Sequence, residues 1–141
     1  IQDYQIDHYK NRFLKYINPG FIKCVTDEND DLVAFAITMP SFSNALKKIN
    51  GKVDLIGKLR LLHAKNYNHK GSLYLIGVRP DFQNKGVIAI LFNELQKFYN
   101  KFGITEVETN PELIENAAIQ QLWKNYENNQ HKNRATFTKV I

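Results

Sequence analysis

A mixed α/β domain around one sheet is the fold class this sequence predicts, and three observations predict it. Long segments with apolar residues every three to four positions alternate with short apolar or alternating runs. Chain breakers fall between them, at Asn18-Pro19-Gly20, Pro40, Gly51, Gly103 and Asn110-Pro111. The resulting order is helix, hairpin, helices, strand, helix, strand, helix, strand, which one shared sheet accommodates.

Within residues 4–17, Tyr9, Phe13, Tyr16 and Ile17 stand at helical spacing, so an amphipathic helix is expected up to Asn18. Two apolar segments over 21–39 flank an acidic turn, Asp27 to Asp31, and read as an antiparallel hairpin ended by Pro40. Ser43 is a candidate cap for a short helix with Ala45, Leu46 and Ile49, stopped by Gly51. A second helix over 54–66 has Leu55, Leu59 and Leu62 on one face, with Lys58, Arg60 and Lys65 largely elsewhere. Such a basic amphipathic helix can lie on a membrane, but a surface helix with a solvated face is the commoner form.

Ser72 to Val78 is a short strand of buried type. From Lys85 to Phe102 the residues Val87, Ile90, Leu91, Leu95, Phe98 and Phe102 form a core stripe, and Gly103 caps that helix. Residues 104–109 read as a further strand. Ile114 to Tyr126 reads as a helix with Ala118, Leu122 and Trp123 inward, and 135–141 as a closing strand with Phe137 inside.

The chain has 141 residues, 43% of them hydrophobic, enough for a single domain with a sizeable core. It opens on Ile rather than Met and shows no first strand before residue 20, so residues 1–141 are expected to be the C-terminal part of a longer protein. No run is long enough to span a membrane, and no membrane partner is expected. One cysteine, Cys24, excludes an internal disulfide, fits the reducing cytoplasm, and reads as a small buried hydrophobe. The net charge of +5 favours anionic partners. Its scattered cations disfavour nucleic acid and suit a phosphorylated cofactor, and the four unpaired histidines imply no metal site.

The segment Tyr74 to Leu91, YLIGVRPDFQNKGVIAIL, carries the chemistry. A helix N-terminus holds unpaired N–H groups and partial positive charge, so cations there are misplaced unless an anion is near. Arg79 and Lys85 are both so placed, and Gly86 costs up to about 1 kcal/mol relative to alanine early in a helix. One resolution is an anion such as a diphosphate, approached at Gly86, bound by N–H groups of Asn84 to Val87 and neutralised by Lys85. The other is tight helix-strand packing at Gly86 with both cations in water. Neither common glycine-rich phosphate motif is present.

These residues resemble the strand-turn-helix motif of the GNAT superfamily of acyl-CoA-dependent N-acyltransferases. That motif is an apolar strand ending in V-x-P, then Q/R-x-x-G-x-G/A. Val78-Arg79-Pro80, Gln83, Lys85 and Gly86 match it, and Ile88 departs where Gly or Ala is usual. Downstream, NAAIQQLWKNYE is similar to the family's later helix, with Asn116 at the asparagine that contacts pantetheine. The resemblance covers about residues 20–141. It implies a central, mostly antiparallel sheet with a splayed parallel pair, flanked by helices, and acetyl-CoA or another acyl-CoA as co-substrate. It further implies that the pantetheine arm pairs with the backbone of Ile76, Gly77 and Val78, and that the diphosphate sits on Gln83, Asn84, Lys85, Gly86 and Val87. The reaction it implies is direct attack of an amine on the thioester, the acceptor being a small-molecule or peptide amine.

For the general base, Glu106 and Glu108 share one face of their strand, Glu112 follows, and His63, His69 and His131 are further candidates. Two solvated carboxylates are the competing reading. The family's tyrosine acid is replaced by Trp123, whose indole is no proton donor of suitable pKa. Tyr126, one turn on, and Tyr74 are the substitutes. The long segment 41–70 is expected to select the acceptor, with Tyr67 and His69 as candidates. An alternative of a different class is a catalytically degenerate CoA-binding or protein-interaction module, suggested by Trp123 and Ile88.

Overall fold

The computed structural model describes residues 2–12, 18–51 and 54–139. The chain divides into two compact units, residues 1–108 and 109–141. Helix α1 spans Asp3–Arg12, and Phe13, Tyr16 and Ile17 of the expected helical stripe lie outside the described residues. Strands β1 (Ile22–Thr26) and β2 (Leu32–Pro40) follow, then helices α2 (Ser43–Ile49) and α3 (Leu55–Asn66). Strand β3 (Lys70–Val78), helix α4 (Val87–Phe102) and strand β4 (Glu106–Thr109) come next, and helix α5 (Ala117–Trp123) lies in the second unit.

The four strands form one mixed sheet in the order β1-β2-β3-β4, with β1, β2 and β3 antiparallel. The expected hairpin forms, and its turn is held by Asp27, whose Oδ1 accepts the N–H groups of Asn29 and Asp31 at 3.0 and 3.1 Å. Along β2, Ala34, Ala36, Thr38 and Pro40 are buried while Phe35, Ile37 and Met39 are half-buried, the alternation of a strand with one better-covered face. Thr38 satisfies its buried hydroxyl by donating to the Phe21 carbonyl at 2.8 Å.

The α4 stripe is buried at Val87, Leu91 and Leu95, whereas Ile90 and Phe102 are exposed. Val87 packs with Val33 and Ala34, joined by Val25, Val78 and Phe82, so the start of α4 is fixed against the hairpin and the end of β3. Gly103, at φ 67, closes the helix as expected.

Four expectations are corrected. Ser43 is the first residue of α2 rather than its cap; Ser41 Oγ accepts the Ser43 N–H at 3.4 Å, and Asn50 and Gly51, both left-handed, end the helix. Cys24 is exposed, because it lies on β1, an edge strand, on the side opposite Val25. The helix expected over 114–126 is only seven residues long, with Ile119 buried, Leu122 and Trp123 half-buried and Ala118 exposed. No strand forms at 135–139, and Phe137 is 89% exposed. An unpaired strand has no ladder to stabilise it.

Candidate functional site

The site is built on the end of β3. Arg79 N–H donates to the Val33 carbonyl at 2.8 Å, and Ala34 stands opposite Val78. Successive residues of a strand turn their N–H and C=O groups to opposite edges, so Gly77 bonds toward β2 while Ile76 and Val78 present theirs to the other edge. Tyr74 stands unmatched between the pairs Thr38–Leu73 and Ile37–Leu75, a bulge that increases local twist. Gly77 is required by packing: a Cβ there would lie 2.7 Å from the Phe35 ring.

On the other edge β3 neighbours β4, and the chain enters β4 beside His69. The N–H groups of Thr105 and Glu106 both donate to the His69 carbonyl, at 2.8 and 3.2 Å. Ile104 and Val107 both lie over Gly71, so the side-chain parity of β4 does not extend back to Ile104, which precedes the strand. β4 has four residues against nine in β3, which runs on to Val78.

Beyond Val78 the chain makes a single 3-10 turn, Pro80–Phe82, before α4. Arg79 is anchored: its guanidinium meets Asp81 Oδ1 at 2.9 Å and Asp27 Oδ2 at 3.2 Å, and covers the Phe82 ring at 4.5 Å. Burial pushes the Asp27 carboxyl up, but the N–H groups of Asn29 and Asp31 and the Arg79 guanidinium outweigh it and hold it below its ordinary value. Asp81 is held low mainly by its hydrogen bond from Arg79. Of the two cations that mark this turn in the sequence, Arg79 therefore has structural carboxylate partners. Lys85 makes no ion pair among the described residues, and its ammonium sits 5.2 Å from the Phe82 ring centre.

The backbone between them is poised for an anion. Asn84 and Gly86 are both left-handed, at φ 60 and 77, and a Cβ at Gly86 would meet nothing within 4 Å. The first α4 turn closes only through Ala89 and Ile90, whose N–H groups donate to the Gly86 carbonyl at 3.0 and 3.3 Å. Among the described residues, the N–H groups of Asn84, Lys85, Gly86, Val87 and Ile88 have no protein acceptor. Five unbonded donors and an ammonium without an ion pair, at the positive end of a sixteen-residue helix, are groups of the kind that bind a phosphate-type anion.

The candidate catalytic residues are dispersed. Glu106 is exposed and pairs with Lys70 at 2.5 Å; Glu108 is half-buried. In the second unit, both oxygens of Glu112 accept the Trp123 indole N–H, at 2.9 and 2.8 Å, so neither residue of that pair stands ready for proton transfer. The Tyr126 ring lies edge-on to Trp123 at 6.3 Å. Asn116 is the N-cap of α5, its side chain accepting the Ile119 N–H at 3.4 Å. His69 bonds the Gly103 carbonyl at 3.1 Å, where it helps close α4, and exposed Tyr67 stacks on His63 at 5.3 Å. A cavity of about 460 Å³ lies between α2 and α3, with Lys48, Arg60, His63 and Tyr67 in its wall.

The residue that sequence reasoning missed is Asp27. Its signal was present, since a carboxylate in a tight turn and a cation closing a strand are natural partners, but 52 positions separate them.

A family model described as the acetyltransferase (GNAT) family matches residues 3–125. No protein of curated function matches the sequence. Among solved structures, similarity extends to an aminoglycoside 6'-N-acetyltransferase from Acinetobacter baumannii, with 13% identity over 96% of this chain and 81% of the other, at a TM-score of 0.58. An aminoglycoside N-acetyltransferase in complex with CoA aligns over 100% of this chain and 97% of its own at 13% identity and a TM-score of 0.56. An aminoglycoside acetyltransferase from an uncultured soil metagenomic sample, in complex with sisomicin, aligns at 13% identity and a TM-score of 0.52. The alignment covers 85% of this chain but only 64% of that one.

Proposed function

The chain belongs to the GNAT acetyltransferase family, and from that premise we propose that it transfers an acetyl group from acetyl-CoA, or a related acyl-CoA, to an amine. The observation that carries this reading is the row of unbonded N–H groups from Asn84 to Ile88, with left-handed Gly86 in its middle and Lys85 beside it. The diphosphate of CoA accepts from that row. Gln83 flanks it, and the open side at Gly86 gives the phosphate oxygens contact with the backbone. The pantetheine amides pair with the outward N–H and C=O groups of Ile76 and Val78, as an added strand would.

The acceptor nitrogen, once deprotonated, attacks the thioester carbonyl carbon. An outward N–H at the end of β3, Val78 being the nearest to the turn, stabilises the charge that develops on oxygen. The C–N bond forms, the C–S bond breaks, and the thiolate takes a proton. Glu106 is exposed and paired with Lys70, whereas Glu108 is half-buried farther along β4. Glu108 is therefore the preferred base, acting directly or through water. Tyr126 is the candidate acid, though a thiolate is a good enough leaving group to be protonated by solvent. Aminoglycosides are polyamines, and an amine acceptor is the chemistry shared with those structural neighbours. We place acceptor selection in segment 41–70, where the α2–α3 cavity lies.

A second reading, a CoA-binding module without turnover, is favoured by the commitment of the Trp123 indole to Glu112 at the place of the family's tyrosine. Thiol release from acetyl-CoA across a panel of amines separates the two. Amine-dependent release above the hydrolysis background supports the enzyme. CoA binding with no release for any amine supports the module.

A further inference from the structure

Helix α3 turns one side inward. Gly57 is buried and Leu61 and Ala64 are half-buried, all on one side of the helix. Leu55, Leu59 and Leu62 point the other way, 75%, 59% and 57% exposed, with Ile56 exposed beside them; Ile56 and Leu59 also line the α2–α3 cavity. At 100° per residue, Leu62, Leu55 and Leu59 fall within a 60° arc that also holds Asn66, with His63 and Ile56 following on one side. Lys58 and Lys65, both exposed, border that arc on one side, while Arg60 on the other donates to the Lys48 carbonyl at 2.9 Å. Leu46 of α2 is exposed as well.

The charge is partitioned in the same way. Between Ser41 and Lys70 the sequence has seven basic residues and one acidic residue, Asp54, a surplus of six on a chain whose total is +5. The rest of the chain is thus slightly acidic. Asp54 itself is spent as the N-cap of α3, accepting the Gly57 N–H at 2.6 Å.

We propose that the outward face of α3, with neighbouring α2, docks on an anionic lipid surface. An apolar stripe that inserts at the headgroup boundary, bordered by cations at the level of the phosphates, is the arrangement such a surface selects. A second copy of this chain is disfavoured, because two such cationic borders repel. Nucleic acid offers nothing to a row of leucines at the centre of the patch. The proposal concerns peripheral contact only, since no described helix is long and apolar enough to cross a membrane.

The test is co-sedimentation of the whole chain with vesicles of phosphatidylglycerol mixed into phosphatidylcholine, and with phosphatidylcholine alone. Binding is expected only with the anionic lipid and should weaken as salt is raised. The pair Lys58→Gln, Lys65→Gln should lower partitioning by on the order of tenfold or more. The pair Leu59→Ser, Leu62→Ser should lower it roughly tenfold or more. These side chains are exposed, so thermal unfolding should stay near wild type and separates lost docking from lost fold. No binding to the anionic vesicles at low salt overturns the proposal. So does binding that survives the leucine changes, or equal binding to neutral vesicles. Leucine-dependent self-association in sedimentation velocity, without vesicle binding, assigns the face to a second copy instead.

Discussion

Arg79 and Asp27, 52 positions apart, meet at 3.2 Å and tie the strand-to-helix turn to the turn of the β1–β2 hairpin. Asp81 holds the same guanidinium from the other side at 2.9 Å, with the Phe82 ring beneath it. The turn that presents the N–H row is therefore fixed from outside itself. A binding loop with such an anchor has less ordering left to do when its ligand arrives.

That relationship gives a pH dependence. Asp27 is held below its ordinary value in the fold, so its stabilisation is fully present above the ordinary carboxylate range and is lost as pH falls through the lowered value. Asp27→Asn keeps an acceptor for the Asn29 and Asp31 N–H groups but removes the ion pair. The variant should unfold at a lower temperature than wild type near neutral pH, and the difference should shrink toward acid. A difference that stays constant down to strongly acid pH would remove the ion pair from the account.

Gly86 separates backbone strain from ligand approach. Gly86→Ala places a Cβ in open space at φ 77, so it should cost about 1–2 kcal/mol in stability and leave CoA affinity within a few-fold. Gly86→Glu adds a carboxylate where the diphosphate is proposed to sit and should lower affinity by on the order of a hundredfold or more. Equal affinity in the two variants would mean that the phosphates lie elsewhere.

Gly77 tests the packing of β3 against β2. In Gly77→Ala the new methyl would lie 2.7 Å from Phe35, and the ring must move, at a cost of about 1–3 kcal/mol. Phe35→Leu in the same chain should recover part of that loss. Denaturant titration of the single and double variants measures the coupling, and strict additivity would deny the contact.

In the second unit, Trp123→Phe removes the only indole N–H, the one that both Glu112 oxygens accept, and should destabilise by about 1.5–3 kcal/mol. Asn116→Ala should cost about 1 kcal/mol through the lost cap of α5. If Asn116 acts only as a cap, CoA affinity should change no more than stability does. A larger loss of affinity in a folded variant assigns it a contact with the ligand. Trp123→Tyr raising amine-dependent turnover would mark a missing acid as what limits the natural chain.

The hairpin and α4 were legible because their patterns are local and their partners are adjacent: alternation along β2, a four-residue stripe along α4. The glycine and lysine before α4 stood out for the same reason, as departures from what a helix start prefers. Periodicity could not say which side of α3 is seated, since Gly57, Leu61 and Ala64 fit closely where Leu55, Leu59 and Leu62 do not. Nor could it say that residues 135–139 form no strand, because pairing is a property of the sheet and not of the segment. Arg79 read as a cation awaiting an anion, and only the hairpin brings Asp27 to it.

The most direct measurement is calorimetric titration of the whole chain with acetyl-CoA and with CoA, repeated with Gly86→Ala and Gly86→Glu. The account expects micromolar binding of both ligands, weaker at higher salt, little changed in the alanine variant and lost in the glutamate variant. Failure of the wild-type chain to bind either ligand, or binding as tight in the glutamate variant as in wild type, would contradict it.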